Sequence, residues 1–131
     1  MYLLDTSIMI PFLKGRNGIQ EHINMVGIHQ CCVPELVLSE LLVGAYKTGR
    51  SVEFEAVKYV RGKFETTPVS FKVLEIYSKV RAHLEEQGNA LDTMDLLIAA
   101  TALAGGYTLV SHNTKHFSRI PDLKLEDWIE E

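Results

Sequence analysis

Tyr2-Leu3-Leu4-Asp5-Thr6-Ser7-Ile8-Met9 is the stretch on which the fold turns. A short apolar run stops at three polar residues suited to capping, and Ile8, Met9, Phe12 and Leu13 then recur at helical spacing. The segment therefore predicts a buried strand passing directly into a helix. Pro11 suits that helix only near its start, and Gly15 and Gly18 punctuate the chain before a second short helix expected over 19–26. Further out, Cys31-Cys32-Val33 reads as a buried strand. Pro34 reads as the first turn of a helix carrying Leu36, Val37, Leu41, Leu42, Ala45 and Tyr46 as far as Gly49. Helical spacing recurs over 52–64, 71–86 and 94–104, the last so apolar that it must be buried, and a short helical turn is expected through Phe117. Extended segments are expected at 66–69, 107–110 and 123–128. Short apolar strands alternating with helices predict an α/β fold around a mostly parallel sheet of four to five strands, near residues 2, 31, 67, 108 and 125. Ligands of such sheets gather outside the carboxyl ends of the strands.

The 131 residues suit a single domain, 1–131, large enough to bury a core without disulfides or structural metal. A hydrophobic fraction of 47% with 23% charged residues excludes a disordered, collagen-like or coiled-coil chain. No apolar run approaches the ~20 residues that span a bilayer, and no signal-peptide pattern opens the chain, so no membrane partner and a cytoplasmic location are expected. The only two cysteines, Cys31 and Cys32, are neighbours in an apolar run. A disulfide between them would be strained, so they read as small buried hydrophobes. The net charge of −4 argues against a broadly basic nucleic-acid surface, yet four of the 17 acids fall in the last six residues, leaving the preceding part balanced.

Three acids stand where a core-building sequence would not place them: Asp5 at a strand end, Glu40 inside an apolar helix, and Asp95 at the head of another. Each has an ordinary structural explanation. Asp5 can cap the first helix, Asp95 sits three residues past Asp92 in a capping-box position, and Glu40 can share an exposed stripe with Ser39 and Lys47. Gathered at one sheet edge, however, the three would repel and raise one another's pKa values, and a divalent cation would remove the conflict. An all-oxygen ligand set favours Mg²⁺ or Mn²⁺ over Zn²⁺.

The segments Leu4-Asp5-Thr6-Ser7, Ser39-Glu40-Leu41-Leu42-Val43-Gly44-Ala45, Asp95-Leu96-Leu97-Ile98-Ala99-Ala100-Thr101-Ala102 and Val110-Ser111-His112-Asn113-Thr114-Lys115-His116-Phe117 stand in one order along the chain. With the ending Leu125-Glu126-Asp127-Trp128, this set resembles the PIN-domain ribonucleases, specifically the VapC-type toxins of toxin–antitoxin modules. The resemblance implies a three-layer α/β/α fold and a Mg²⁺-dependent endoribonuclease, with Asp5, Glu40 and Asp95 matching the family's acidic positions as catalytic and metal-holding residues. It also implies a homodimer, a VapB-like antitoxin and an RNA substrate. The family's frequent fourth acid has no counterpart between Ser111 and Phe117. Asn113 is the nearest substitute there, and one ion rather than two is the expectation.

For phosphodiester cleavage, Asp5 and Asp95 would hold the ion and Glu40 would complete its shell or orient a water. Thr6 and Ser7 would offer donors to phosphate from a helix N-terminus, joined by Lys115 and His116. Lys14, Arg16, Lys47, Arg50 and Arg119 are further candidate phosphate contacts. Two other readings compete: a catalytically silent PIN-like module that binds RNA or protein, and a receiver-like phosphoacceptor, whose acidic pair, later aspartate and late lysine the spacing does not supply.

Overall fold

The computed structural model describes residues 1–131. Five strands form one wholly parallel sheet: β1 (Tyr2–Leu4), β2 (Cys31–Pro34), β3 (Glu65–Thr67), β4 (Thr108–Val110) and β5 (Leu125–Glu126). Their spatial order is β3-β2-β1-β4-β5, with Leu3 opposite both Cys32 and Leu109, and Leu4 opposite Val110. Between β1 and β2 lie α1 (Thr6–Leu13), α2 (Ile19–Val26) and a 3₁₀ turn over Ile28–Gln30 that the periodicity did not indicate. Helices α3 (Glu35–Thr48) and α4 (Ser51–Lys63) lead to β3, and α5 (Phe71–Glu86) and α6 (Thr93–Gly105) lead back to β4. The four-residue α7 (Thr114–Phe117) precedes β5. Helices cover both faces, giving the three-layer α/β/α arrangement.

The chain builds outward from β1 in one direction to β3 and then returns to place β4 on the other flank of β1. That reversal opens a crevice at the carboxyl rim between β1 and β4, where open α/β sheets bind ligands.

The strands are short and, at the centre, fully buried: Leu3, Leu4, Val33, Leu109 and Val110 expose nothing, as expected for parallel strands covered on both faces. Cys31 and Cys32 are free and buried, 0% and 2% exposed, and burial lifts the thiol pKa of Cys31 to about 11, consistent with small core hydrophobes. In α6, Leu96, Ile98, Ala99, Ala100, Thr101 and Ala102 are all buried, and the helix stops at Gly106 in the left-handed conformation.

One expectation from the sequence needs correction. Pro34 does not open α3. It is the last residue of β2, extended at φ −65 and ψ 146, because its missing N–H costs nothing at a strand end. Along α3 and α4, Val37, Ala45, Val57 and Val60 are buried, whereas Leu42, Tyr46 and Tyr59 face solvent, Tyr46 at 75% exposure. Tyr46 packs edge-on against Phe54 of α4 instead of entering the core.

No helix is long and apolar enough to cross a membrane.

Candidate active site

Asp5 follows β1 directly and is 3% exposed, the most deeply placed carboxylate of the site. It is the N-cap of α1, with Oδ1 accepting from the Thr6 N–H at 2.7 Å. Oδ2 accepts from the hydroxyl of Ser111, which follows β4, at 2.7 Å and from the hydroxyl of Ser7 at 3.1 Å. A buried carboxylate is tolerated only when it is hydrogen-bonded, and these donors meet that need. Two backbone N–H groups orient the donors in turn: His112 donates to Ser7 Oγ at 2.9 Å and Asn113 to Ser111 Oγ at 3.0 Å. A serine hydroxyl carries a single proton, so a lone pair used to accept from the backbone leaves that proton for Asp5.

Glu40 lies in the second turn of α3, half-buried, and its Oε1 accepts from the Thr6 hydroxyl. Burial raises the Glu40 carboxyl above its ordinary value; the Thr6 bond opposes that rise, and the negative charges of Asp5 and Asp92 add to it. Asp95 enters from the first turn of α6 with its side chain 21% exposed. Burial, then the charges of Asp5, Asp92 and Glu40, push its pKa up to about 6, with His116 acting in the opposite direction. The Nδ1 of His116 lies 4.0 Å from Asp95 Oδ2. The conflict expected from three clustered acids is therefore present at Glu40 and Asp95.

Asp92 is the N-cap of α6, its Oδ2 accepting from the N–H groups of Met94 at 3.1 Å and Asp95 at 3.4 Å. The capping box stops there: Asp95 makes no return bond to Asp92 and stands instead among the charges of Asp5, Glu40 and His116. Sequence reasoning treated Asp92 only as a cap, although its charge reaches both Glu40 and Asp95. It also overlooked Ser111. The signal for Ser111 was a small polar residue ending an apolar strand, but its meaning depended on the Leu4–Val110 pairing that sets positions 5 and 111 side by side.

Other candidates divide. The hydroxyls of Thr6 and Ser7, expected to face phosphate, are turned to Glu40 and Asp5. The Asn113 side chain is exposed and does not cap α7, and Lys115 is exposed on that helix beside His116. Lys14 borders an apolar groove between α1 and α4, and Arg50 is paired with Glu53 at 2.6 Å. Arg16, Lys47 and Arg119 are exposed.

No three Asp, Glu, His or Cys side chains close into a ready-made ligand cage. The donors are nevertheless all hard oxygens, and burial together with the neighbouring acids raises the Asp95 carboxyl to about 6. That set fits a magnesium-type ion, which takes one or two carboxylates directly and keeps several waters.

The PIN domain sequence profile matches residues 2–123. This chain belongs to the PIN domain family. Among the relatives of this PIN domain, Ribonuclease VapC of Rickettsia bellii is 32% identical, the match covering 94% of this chain and 92% of that protein. The tRNA(fMet)-specific endonuclease VapC of Salmonella typhimurium is 27% identical over 97% of each chain. Among solved structures, VapBC2 from Rickettsia felis, bound to a DNA fragment from its promoter, superimposes with a TM-score of 0.88 at 30% identity, covering 97% of this PIN domain and 98% of that chain.

Proposed function

We propose that this PIN domain, residues 1–131 acting as one unit, is a metal-dependent endoribonuclease of the VapC type, the toxin of a toxin–antitoxin pair. The observation that carries the reading is the convergence of Asp5, Glu40 and Asp95 at the crevice beside β1, with Asp95 lifted to about 6 by burial and by the other acids. Relatives named ribonucleases support the same chemistry.

Asp5, Glu40 and Asp95 would hold Mg²⁺ or Mn²⁺. Such an ion supplies charge neutralisation at the phosphoryl oxygens and an activated water for phosphodiester hydrolysis. Asp5 is held in one orientation by Ser7, Ser111 and the Thr6 N–H, so its negative charge stays aimed at the crevice. Glu40, anchored by Thr6, would orient a water or complete the ion's shell. Asn113, Lys115 and His116 border the rim from the turn after β4 and from α7, where an amide, an ammonium and an imidazole receive phosphate oxygens. Single-stranded or looped RNA is the substrate class, because its backbone and bases reach an open rim.

The partner is a VapB-like antitoxin, as the toxin–antitoxin complexes among its structural neighbours suggest. The surface that suits such a partner is the apolar groove of about 230 Å³ lined by Ile10, Leu13, Leu41, Val52 and Ala56. The exposed Phe71 and Leu74 of α5 are offered to a second copy in a homodimer. Two buried free thiols suit a reducing cytoplasm.

The test is cleavage of a panel of transfer RNAs and structured RNAs by antitoxin-free protein with Mg²⁺ or Mn²⁺, beside EDTA and an Asp5→Asn, Asp95→Asn variant. Metal-dependent cleavage that disappears in the variant supports the reading. Binding of metal and RNA without cleavage across the panel replaces it with a catalytically silent module.

A further inference from the structure

The chain beyond β5 packs back against β1, α2 and the loop that follows α1. Trp128 is 3% exposed, with Tyr2 edge-on at 5.0 Å and the His22 ring stacked at 4.0 Å. Glu130 donates its N–H to Asn17 O at 3.1 Å and accepts from Asn17 Nδ2 at 2.8 Å. The same tail brackets His112: Asp127 Oδ2 lies 2.9 Å from Nδ1, and Glu131 Oε1 lies 3.5 Å from Nε2. The other carboxylate oxygen of Asp127 accepts from the Ile129 N–H at 2.9 Å, which fixes its own orientation.

His112 is exposed and sits in the turn between β4 and α7, whose N–H groups at 112 and 113 go to serine hydroxyls and not to the sheet. Those two hydroxyls hold Asp5. The turn therefore has two anchors on opposite sides, the serines at the carboxylate and the Asp127 carboxylate at the ring. The Ser111 N–H also donates to Glu126 O and the Asn113 carbonyl accepts from the His116 and Phe117 N–H groups, so between those fixed ends the ring anchor is what holds the exposed residue 112.

We infer that Asp127 is a positioning residue for the site: by holding the His112 ring it keeps the backbone N–H groups of His112 and Asn113 on Ser7 and Ser111, and so keeps both hydroxyl protons on Asp5. Its effect on cleavage rests on the ribonuclease reading, whereas its effect on the turn does not. Nothing in this role requires contact with RNA. Asparagine can replace the aspartate: its Oδ1 takes the Ile129 N–H while its Nδ2 donates to Nδ1 of the other imidazole tautomer.

The experiment compares the parent chain with Asp127→Ala, Asp127→Asn, His112→Ala and the double alanine variant. It uses amide hydrogen exchange at His112 and Asn113, and steady-state cleavage of whichever RNA of the panel the parent cuts. The expected result is exchange about tenfold faster at both amides in each alanine variant, recovery in Asp127→Asn, and a double variant no worse than either single one. In cleavage, kcat falls about tenfold with KM unchanged, again restored by asparagine. Parent-like protection of the two amides in both single variants overturns the inference. So does faster exchange with unchanged kcat, or a double variant whose losses simply add. A parent that cuts no RNA defeats the ribonuclease reading alone, and the exchange data then decide whether Asp127 holds the turn.

Discussion

The Thr6 hydroxyl on α1 donates to the Glu40 carboxylate on α3, a bond between residues 34 positions apart that ties two helices together at the rim of the sheet. Thr6→Val keeps the shape of the side chain and leaves a half-buried carboxylate without its donor, so about 1–2 kcal/mol of stability should be lost at neutral pH. Thr6→Ser should recover most of it. Urea denaturation midpoints for the three proteins check this, and equal midpoints for Thr6→Val and the parent would show that the bond contributes nothing net.

Asp95 makes metal-free stability depend on pH in an unusual direction. Its pKa is raised from 3.8 to about 6, so between those values the folded protein binds more protons than the unfolded chain. Its contribution to stability therefore falls as pH rises through that window, and Glu40, also raised, acts in the same sense. Asp95→Asn should be more stable than the parent near pH 7 and lose that advantage toward pH 4. Thermal midpoints in EDTA across that range measure the difference, and an advantage independent of pH would contradict the assignment.

Metal should act where the carboxylates repel. Millimolar Mg²⁺ or Mn²⁺ should raise the melting temperature of the parent at neutral pH, as any ligand of the native state does, and should leave the Asp5→Asn, Asp95→Asn variant unmoved. Cleavage by the variant should fall at least a hundredfold, about 2.7 kcal/mol of lost transition-state stabilisation. Calorimetric titration and RNA cleavage gels together test this.

Gly18 precedes α2 at φ +70, and a Cβ there would meet the Glu130 carboxylate. The flexible carboxylate can move aside, but the left-handed backbone still disfavours a side chain. Gly18→Ala should cost about 1 kcal/mol, and Gly18→Asn should cost less because asparagine tolerates that conformation. Denaturant unfolding of both variants decides it.

The groove bordered by Val52 offers a test of partner binding separate from catalysis. Val52 is 66% exposed, so Val52→Asp should leave stability and RNA cleavage unchanged while relieving inhibition by the cognate antitoxin at least tenfold. Titration of cleavage with antitoxin measures this, and undiminished inhibition would move the antitoxin surface elsewhere.

The sequence by itself determined most of the order of the elements, because the central strands β1, β2 and β4 are short apolar runs and the longer helices have a periodic face, both local properties of the chain. It also determined which carboxylates needed explaining, since an acid inside an apolar segment is conspicuous without coordinates. Tertiary structure alone decided the rest. That Leu42 and Tyr46 face solvent while Val37 and Ala45 are buried depends on which side of α3 meets the sheet, and periodicity does not name the side. That Ser111 serves Asp5 depends on β4 pairing with β1 across more than a hundred residues. That Thr6 and Ser7 turn their hydroxyls to Glu40 and Asp5 depends on how closely the rim packs, because buried charge takes the nearest donors before any ligand can.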